Sequence, residues 1–125
     1  MQKDLYKQAV VVDDFDSVRK IVSFQLENLG CKSNLAVDGE DALRYFDGRK
    51  YDLVITDLNM PKLDGISLIK MIRALPSYRF VPIILLTTES RERIIDTAKE
   101  AGATAWIKKP FTVDSFVNTV NKLLR

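Results

Sequence analysis

Apolar residues follow two alternating patterns along the chain, and together these patterns predict five strands and five helices. Short apolar runs, which are typical of strands, occupy residues 9–12, 33–37, 53–56, 81–86 and 103–107. After each run, apolar residues recur three or four positions apart, as on one face of a helix, within residues 18–29, 42–46, 66–75, 94–98 and 116–124. Gly30, Gly48, Pro76 and Gly102 stand where the first four helices should end. The alternation indicates an α/β protein.

The same alternation predicts a parallel sheet. A helix of this length carries the chain back to begin the next strand in the same direction, so successive strands run parallel. The first, third and fourth apolar runs resemble central strands that are covered on both faces. Ligands of such doubly wound sheets bind beyond the carboxyl ends of the strands. Polar residues that follow the strands are therefore the first candidates for a functional site.

Polar side chains follow four of the five predicted strands. They are Asp13 and Asp14, Asp57, Thr87 and Thr88, and Lys108 and Lys109. Taken singly, each has an ordinary role, because Asp often forms turns, Thr fits strands and Lys is usually a surface charge. Their common place at one rim of the sheet favours a shared site. Three carboxylates brought close together repel one another, so we expect one of them to have a raised pKa or the group to bind a cation.

Mg²⁺ is the cation that these groups suit best. It commonly takes one or two carboxylates together with waters and a phosphate oxygen, whereas Ca²⁺ prefers more protein oxygens. An acid pair that binds Mg²⁺, a third carboxylate that can act as nucleophile, a hydroxyl and a lysine are the parts of a phosphoryl-transfer site. In this interpretation Asp57 attacks phosphorus, while Lys109 and Thr87 contact the phosphoryl oxygens.

Composition narrows the class of protein. The 125 residues, 46% of them hydrophobic, suit one globular domain, and a net charge of +2 is too even for a protein that wraps nucleic acid. The absence of histidine excludes a catalytic histidine or a His-ligated metal. The single cysteine, Cys31, predicts a buried thiol in a reducing compartment. Because the chain has no signal peptide and no long apolar run, we expect a cytoplasmic protein that does not bind membranes.

Four sequence motifs, taken in order, resemble a known family. VVVDDFDSVR, ITDLNMPKLDG, ILLTTES and GATAWIKKPF are similar to the receiver domains of two-component response regulators, and most closely to those of stand-alone chemotaxis regulators. The resemblance covers essentially the whole chain, residues 1–125, as a single receiver domain. It implies a flavodoxin-like (βα)5 fold with a doubly wound parallel five-stranded sheet in the order 2-1-3-4-5.

The resemblance also implies a role for each residue at the strand ends. Asp57 matches the phosphoacceptor, Thr87 the switch hydroxyl and Lys109 the phosphate-binding lysine of such domains. The Lys109–Pro110 peptide bond is expected to be cis. The implied Mg²⁺ ligands are Asp13, directly or through water, Asp14, Asp57 and the main-chain carbonyl of Asn59.

Four further positions are expected to tune or transmit the signal. Asn59 and Glu89 match positions that control how water reaches an acyl phosphate, although Glu89 is equally well explained as a charge at a helix start. Trp106 stands where Tyr is usual, and Thr88 where a smaller residue is frequent. Both departures are expected to affect switching. Trp106 also suits an ordinary half-buried place on an edge strand.

The implied activity is that of a signalling switch and not of a conventional enzyme. A histidine kinase would be the phosphodonor of this monomeric protein, and the target would be a flagellar motor switch protein that binds the fourth helix, fifth strand and fifth helix. That face carries Arg91, Arg93, Lys99, Trp106, Lys108 and Lys122. The alternatives are a receiver excised from a longer regulator, a receiver-shaped module that is never phosphorylated, and a Mg²⁺-dependent phosphatase resembling haloacid dehalogenases. Phosphatases of that type place the nucleophile early in the chain, within an Asp-x-Asp motif.

Overall fold

Five parallel strands and five helices alternate in the computed structural model, which describes residues 6–124. The strands are β1 (Lys7–Val12), β2 (Cys31–Ala36), β3 (Leu53–Thr56), β4 (Ile83–Thr87) and β5 (Ala105–Lys108). The helices are α1 (Asp16–Asn28), α2 (Gly39–Ala42), α3 (Gly65–Ala74), α4 (Glu92–Ala101) and α5 (Val113–Leu124). The sheet has the order β2-β1-β3-β4-β5, which confirms the predicted flavodoxin-like topology.

Both faces of the sheet are apolar because helices cover both. Successive side chains of a strand point to opposite faces. In β1, Val10 and Val12 accordingly pack with residues of α2, α3 and α4, whereas Ala9 and Val11 pack with residues of α1 and α5. All four of these residues are buried. This two-sided burial explains why the central strands are continuous apolar runs in the sequence.

The second helix differs most from its prediction. The apolar positions predict one helix as far as Gly48, but α2 has a single turn and is followed by a 3-10 segment, Leu43–Tyr45. Phe46 then leaves the helical stripe and packs edge-on against Tyr51 and Tyr78, with ring centroids 5.8 Å and 5.1 Å away. Aromatic packing therefore ends the helix early.

The other bounds shift by only a few residues. Strand β2 begins at Cys31, which is buried as predicted, while β4 and β5 each begin two residues later than expected. Burial raises the pKa of the Cys31 thiol to about 11. Within residues 6–124, no helix combines the length and the apolar character needed to cross a bilayer.

Candidate phosphorylation and metal site

Strand register brings the predicted polar residues to one rim of the sheet. Val12 lies opposite Thr56 in the parallel pair β1–β3, so the next residues, Asp13 and Asp57, emerge side by side. The Asp57 main-chain N–H donates to the Val12 carbonyl at 2.9 Å and extends this pairing by one step. Farther along the same rim, where β4 pairs with β5, the Lys109 N–H donates to the Thr87 carbonyl at 2.8 Å.

Three carboxylates and one ammonium form the centre of the site. One carboxylate oxygen from each of Asp13, Asp14 and Asp57 lies within 4.8 Å of the others. Asp13 and Asp57 are only 1% and 6% exposed, whereas Asp14 is exposed to solvent. The Lys109 Nζ lies 2.8 Å from Asp13 Oδ2 and 3.4 Å from Asp57 Oδ2. The single positive charge of the ammonium does not neutralise three carboxylates, so the group attracts a cation. Clustered oxygen donors of this kind suit Mg²⁺.

The environment of Asp57 opposes its ionisation. Burial is the largest influence and raises the pKa of this carboxyl, the Lys109 ammonium lowers it, and the Asp13 carboxylate raises it again. The Leu58 N–H, which donates to Asp57 Oδ1 at 2.7 Å, favours the charged form. The net direction is upward. One acid at the rim therefore has a raised pKa, as expected, but burial contributes more to this shift than repulsion from Asp13 does.

The loop after β4 is organised around two side chains. Thr87 is buried, and its Oγ1 accepts a hydrogen bond from the Glu89 N–H at 3.1 Å. The Glu89 carboxylate in turn accepts the Arg91 N–H at 2.9 Å and two guanidinium N–H groups at 2.8 Å and 2.9 Å. These hydrogen bonds from Arg91 lower the pKa of Glu89 to about 2. Glu89 is thus held by Arg91 in the loop that precedes α4, and both interpretations of Glu89 stay predictions.

The remaining predicted residues lie around this centre. Asn59 is exposed and borders a groove of about 310 Å³ that Glu89 and Arg91 also line. Thr88, which directly precedes Glu89 in the chain, is exposed. The Lys109–Pro110 peptide bond is cis. Trp106 lies on the edge strand β5, is 38% exposed, and lines a separate groove with Phe111.

Gly65 and Phe15 are among the contributors to the site that reasoning from the sequence missed. A Cβ at Gly65 would overlap the Asp57 carbonyl oxygen, so only glycine allows the start of α3 to pack this closely against the strand end. The Phe15 N–H donates to Asp13 Oδ1 at 2.9 Å and fixes that oxygen. The Asp64–Gly65 pair signals a helix start, since Asp64 caps α3, but nothing in the local pattern indicates contact with Asp57.

Comparison with known proteins identifies the family. Residues 9–121 match the model of the response regulator receiver domain. This chain belongs to that family. The receiver is 36% identical over 115 residues to the chemotaxis protein CheY-3 of Vibrio cholerae, a match that covers 91% of this chain and 88% of the relative. It is 32% identical to the chemotaxis protein CheY of Pseudomonas aeruginosa, again over 91% of this chain, and 93% of the relative is covered.

Solved structures agree with this assignment. Vibrio cholerae CheY4 superposes on the receiver with a TM-score of 0.90 at 34% identity, covering 95% of this chain and 99% of that chain. The receiver domain of the sensor histidine kinase PA1611 from Pseudomonas aeruginosa has a TM-score of 0.86 at 28% identity, covering 95% and 98%. That structure holds a magnesium ion coordinated in its active site cleft. Receiver domains are signalling proteins, and the family match favours this class over the phosphatase alternative.

Proposed function

We propose that this receiver is a phosphorylation-dependent switch in which Asp57 accepts a phosphoryl group from a histidine kinase. The observation that carries the proposal is the buried Asp57 carboxylate, which shares one rim of the sheet with two further acids and the Lys109 ammonium. A histidine-kinase phosphodonor would place the protein in the cytoplasm.

Each residue has a distinct task in the proposed transfer. An Asp57 carboxylate oxygen bonds to phosphorus while the bond from phosphorus to the donor imidazole nitrogen breaks, and the imidazole keeps the electron pair of that bond. The Lys109 ammonium, already 3.4 Å from Asp57 Oδ2, neutralises charge on the phosphoryl oxygens. The Thr87 hydroxyl donates a hydrogen bond to one of those oxygens. The receiver thereby assists its own phosphorylation without turning over a substrate as an enzyme does.

The acidic group suits Mg²⁺ as a partner of this chemistry. Asp13, Asp14, Asp57 and the main-chain carbonyl of Asn59 would hold the ion. When bound, Mg²⁺ would neutralise and orient the oxygens of the transferring phosphoryl group. Support comes from the clustering of three carboxylate oxygens within 4.8 Å, from the raised pKa of Asp57, and from the magnesium-bound receiver of PA1611.

The proposed output is a change on the face formed by α4, β5 and α5. In the structure the Thr87 hydroxyl oxygen accepts the Glu89 N–H, and movement of this hydroxyl toward a phosphoryl group would break that bond. The loop that begins α4 would then rearrange and alter the surface around Trp106. Because the curated relatives are chemotaxis proteins, we propose a flagellar motor switch protein as the partner that binds this face.

Intact mass spectrometry tests the phosphorylation directly. Incubation with acetyl phosphate and Mg²⁺ should add one phosphoryl group to the wild type and none when EDTA replaces Mg²⁺. The Asp57→Asn variant should stay unmodified. Asp47→Asn is the matched control, because Asp47 is an exposed carboxylate paired with Arg49 away from the rim, and it should be phosphorylated like the wild type. An unmodified wild type, or modification of Asp57→Asn, would refute the assignment.

Fluorescence tests the proposed output. The chain has a single tryptophan, so its emission reports on β5 alone. Beryllofluoride, a mimic of the phosphoryl group, should change the emission or quenching of Trp106 in the presence of Mg²⁺. Asp57→Asn should show no change. The spectra of the wild type with and without beryllofluoride could prove identical under conditions in which acetyl phosphate modifies Asp57. That result would refute the role of Trp106 in the switch and leave the phosphorylation of Asp57 standing.

A further inference from the structure

Arg19 reaches from α1 to the main chain beside the acidic group. Its side chain is only 12% exposed, although it belongs to the first turns of a surface helix. The Nη1 group donates to the Asp13 carbonyl oxygen at 2.6 Å, and Nη2 donates to Asp16 Oδ1 at 3.2 Å. One planar guanidinium thus joins the end of β1 to the start of α1.

This contact completes the hydrogen bonding of Asp13. The main-chain N–H of Asp13 donates to the Ala36 carbonyl at 3.2 Å, and the main-chain oxygen accepts from Arg19. The carboxylate accepts from the Phe15 N–H through Oδ1 and from the Lys109 Nζ through Oδ2. A bound cation would compete for the two carboxylate oxygens. The contacts with Ala36 and Arg19 involve the main chain, so they can hold the residue in place whatever its carboxylate binds.

The geometry points to Arg19 as a positioning residue of the metal site: we propose that it holds the Asp13 main chain so that the carboxylate faces Asp14 and Asp57 and the rim binds a divalent cation more tightly. The inference rests on the proposed Mg²⁺ site. Groups that orient the ligands of a metal commonly change its affinity by about tenfold or more. Lysine would not serve as well, because its single ammonium lacks the planar fork that spans Asp13 and Asp16.

The sign of the effect separates positioning from simple electrostatics. Arg19 is a positive charge near an acidic group, so its removal makes the surroundings of Asp13 more negative. By Coulomb attraction alone, the Arg19→Ala variant would bind Mg²⁺ more tightly than the wild type. Loss of positioning has the opposite effect, and we expect the variant to bind Mg²⁺ about tenfold more weakly.

Calorimetric titration with Mg²⁺ measures this affinity without any phosphodonor. Arg19→Ala and Arg19→Lys should both bind Mg²⁺ more weakly than the wild type, with the lysine variant between the other two proteins. Arg44→Ala is the matched control. Arg44 forms an exposed pair with Asp41 at the same three-residue spacing, so its replacement removes one positive charge and one surface pair but no contact with Asp13. This control should keep the affinity of the wild type.

Amide hydrogen exchange adds a readout that needs no metal. The Phe15 N–H is held by Asp13 Oδ1, so its exchange should speed up in metal-free Arg19→Ala if Asp13 loses its place. Amides in the second half of α1, residues 22–28, should keep their protection. Faster exchange throughout α1 would show a loss of helix stability and would overturn the positioning role.

The outcomes distinguish this inference from the function on which it rests. If the wild type binds Mg²⁺ and is phosphorylated at Asp57 while Arg19→Ala binds Mg²⁺ equally or more tightly, the positioning role is wrong and the proposed function stands. If the wild type binds no Mg²⁺, the proposed metal site is wrong, and the effect of Arg19 on metal affinity is refuted with it.

Discussion

Asp57→Asn should stabilise the metal-free protein at neutral pH, because the native carboxylate is charged where burial disfavours charge. The folded-state pKa of Asp57 is raised above the ordinary aspartate value of 3.8. An acid with a raised folded-state pKa costs stability at every pH above that value, and the cost disappears as the pH falls below the unfolded-state value. Asparagine keeps the shape of the side chain, and its oxygen can still accept the Leu58 N–H.

The distances in the site set the magnitude. With an effective dielectric constant of about 20, repulsion between Asp57 and Asp13 across at most 4.8 Å amounts to at least about 3.5 kcal/mol. Attraction to the Lys109 ammonium at 3.4 Å amounts to about 5 kcal/mol. Asp14 is exposed, so solvent screens the repulsion between Asp14 and Asp57 to about 1 kcal/mol. These Coulomb contributions nearly cancel, and the burial cost that remains suggests a gain of about 1–2 kcal/mol for the asparagine variant.

Urea unfolding followed by circular dichroism, in EDTA, measures this gain. At about pH 7 the free energy of unfolding should be higher for Asp57→Asn than for the wild type, with equal m-values, and the difference should shrink as the pH falls to about 4. Mg²⁺ should then stabilise the wild type more than the variant. Asp47→Asn, which removes an exposed carboxylate, should change stability little. If Asp57→Asn is no more stable than the wild type in EDTA, burial of the Asp57 charge does not cost the fold stability, and the reasoning is refuted.

Three further predictions follow from local contacts. Gly65→Ala should cost about 2–3 kcal/mol in thermal or urea unfolding, because its Cβ would overlap the Asp57 carbonyl oxygen, and a loss below about 0.5 kcal/mol would show that the loop yields easily. Cys31, whose pKa is raised to about 11, should react with iodoacetamide at about pH 8 only in denaturant, as followed by mass. Arg91→Ala should raise the pKa of Glu89 from about 2 toward the ordinary glutamate range in an NMR titration, whereas an unchanged value would mean that other contacts hold the carboxylate.

Among the strands, the sequence pattern predicted β3 best. For β3 the predicted and observed bounds coincide at Leu53–Thr56, because a run that is apolar on both faces has only one place in such a sheet. It failed for the second helix, where Phe46 occupies a helical position in the pattern but packs against Tyr51 and Tyr78. Both tyrosines lie beyond the residues of the predicted helix, so the local periodicity does not indicate that they pack against Phe46.

A candidate site residue could be predicted from the sequence wherever its position in the chain decides its position in the fold. Asp13, Asp57 and Thr87 end their strands, and parallel register carries such ends to one rim. The resemblance to receivers added an implied role for Asn59, whose main-chain carbonyl would bind Mg²⁺, that position alone does not supply. The contacts of Arg19 with the Asp13 carbonyl and of Gly65 with the Asp57 carbonyl were missed, because they involve main-chain atoms that every residue shares.

By itself, the sequence determined the kinds of elements, their order, the acids and the lysine that end the strands, and the family. Periodicity and residue type are local properties, and both can be read without coordinates. Only the tertiary structure decided that the Lys109 Nζ lies 2.8 Å from Asp13, a residue 96 positions away, that burial of Asp57 raises its pKa, and that the guanidinium of Arg19 turns inward to the end of β1. These features depend on how strands and helices pack against one another, and the distance between two side chains far apart in sequence is set by that packing.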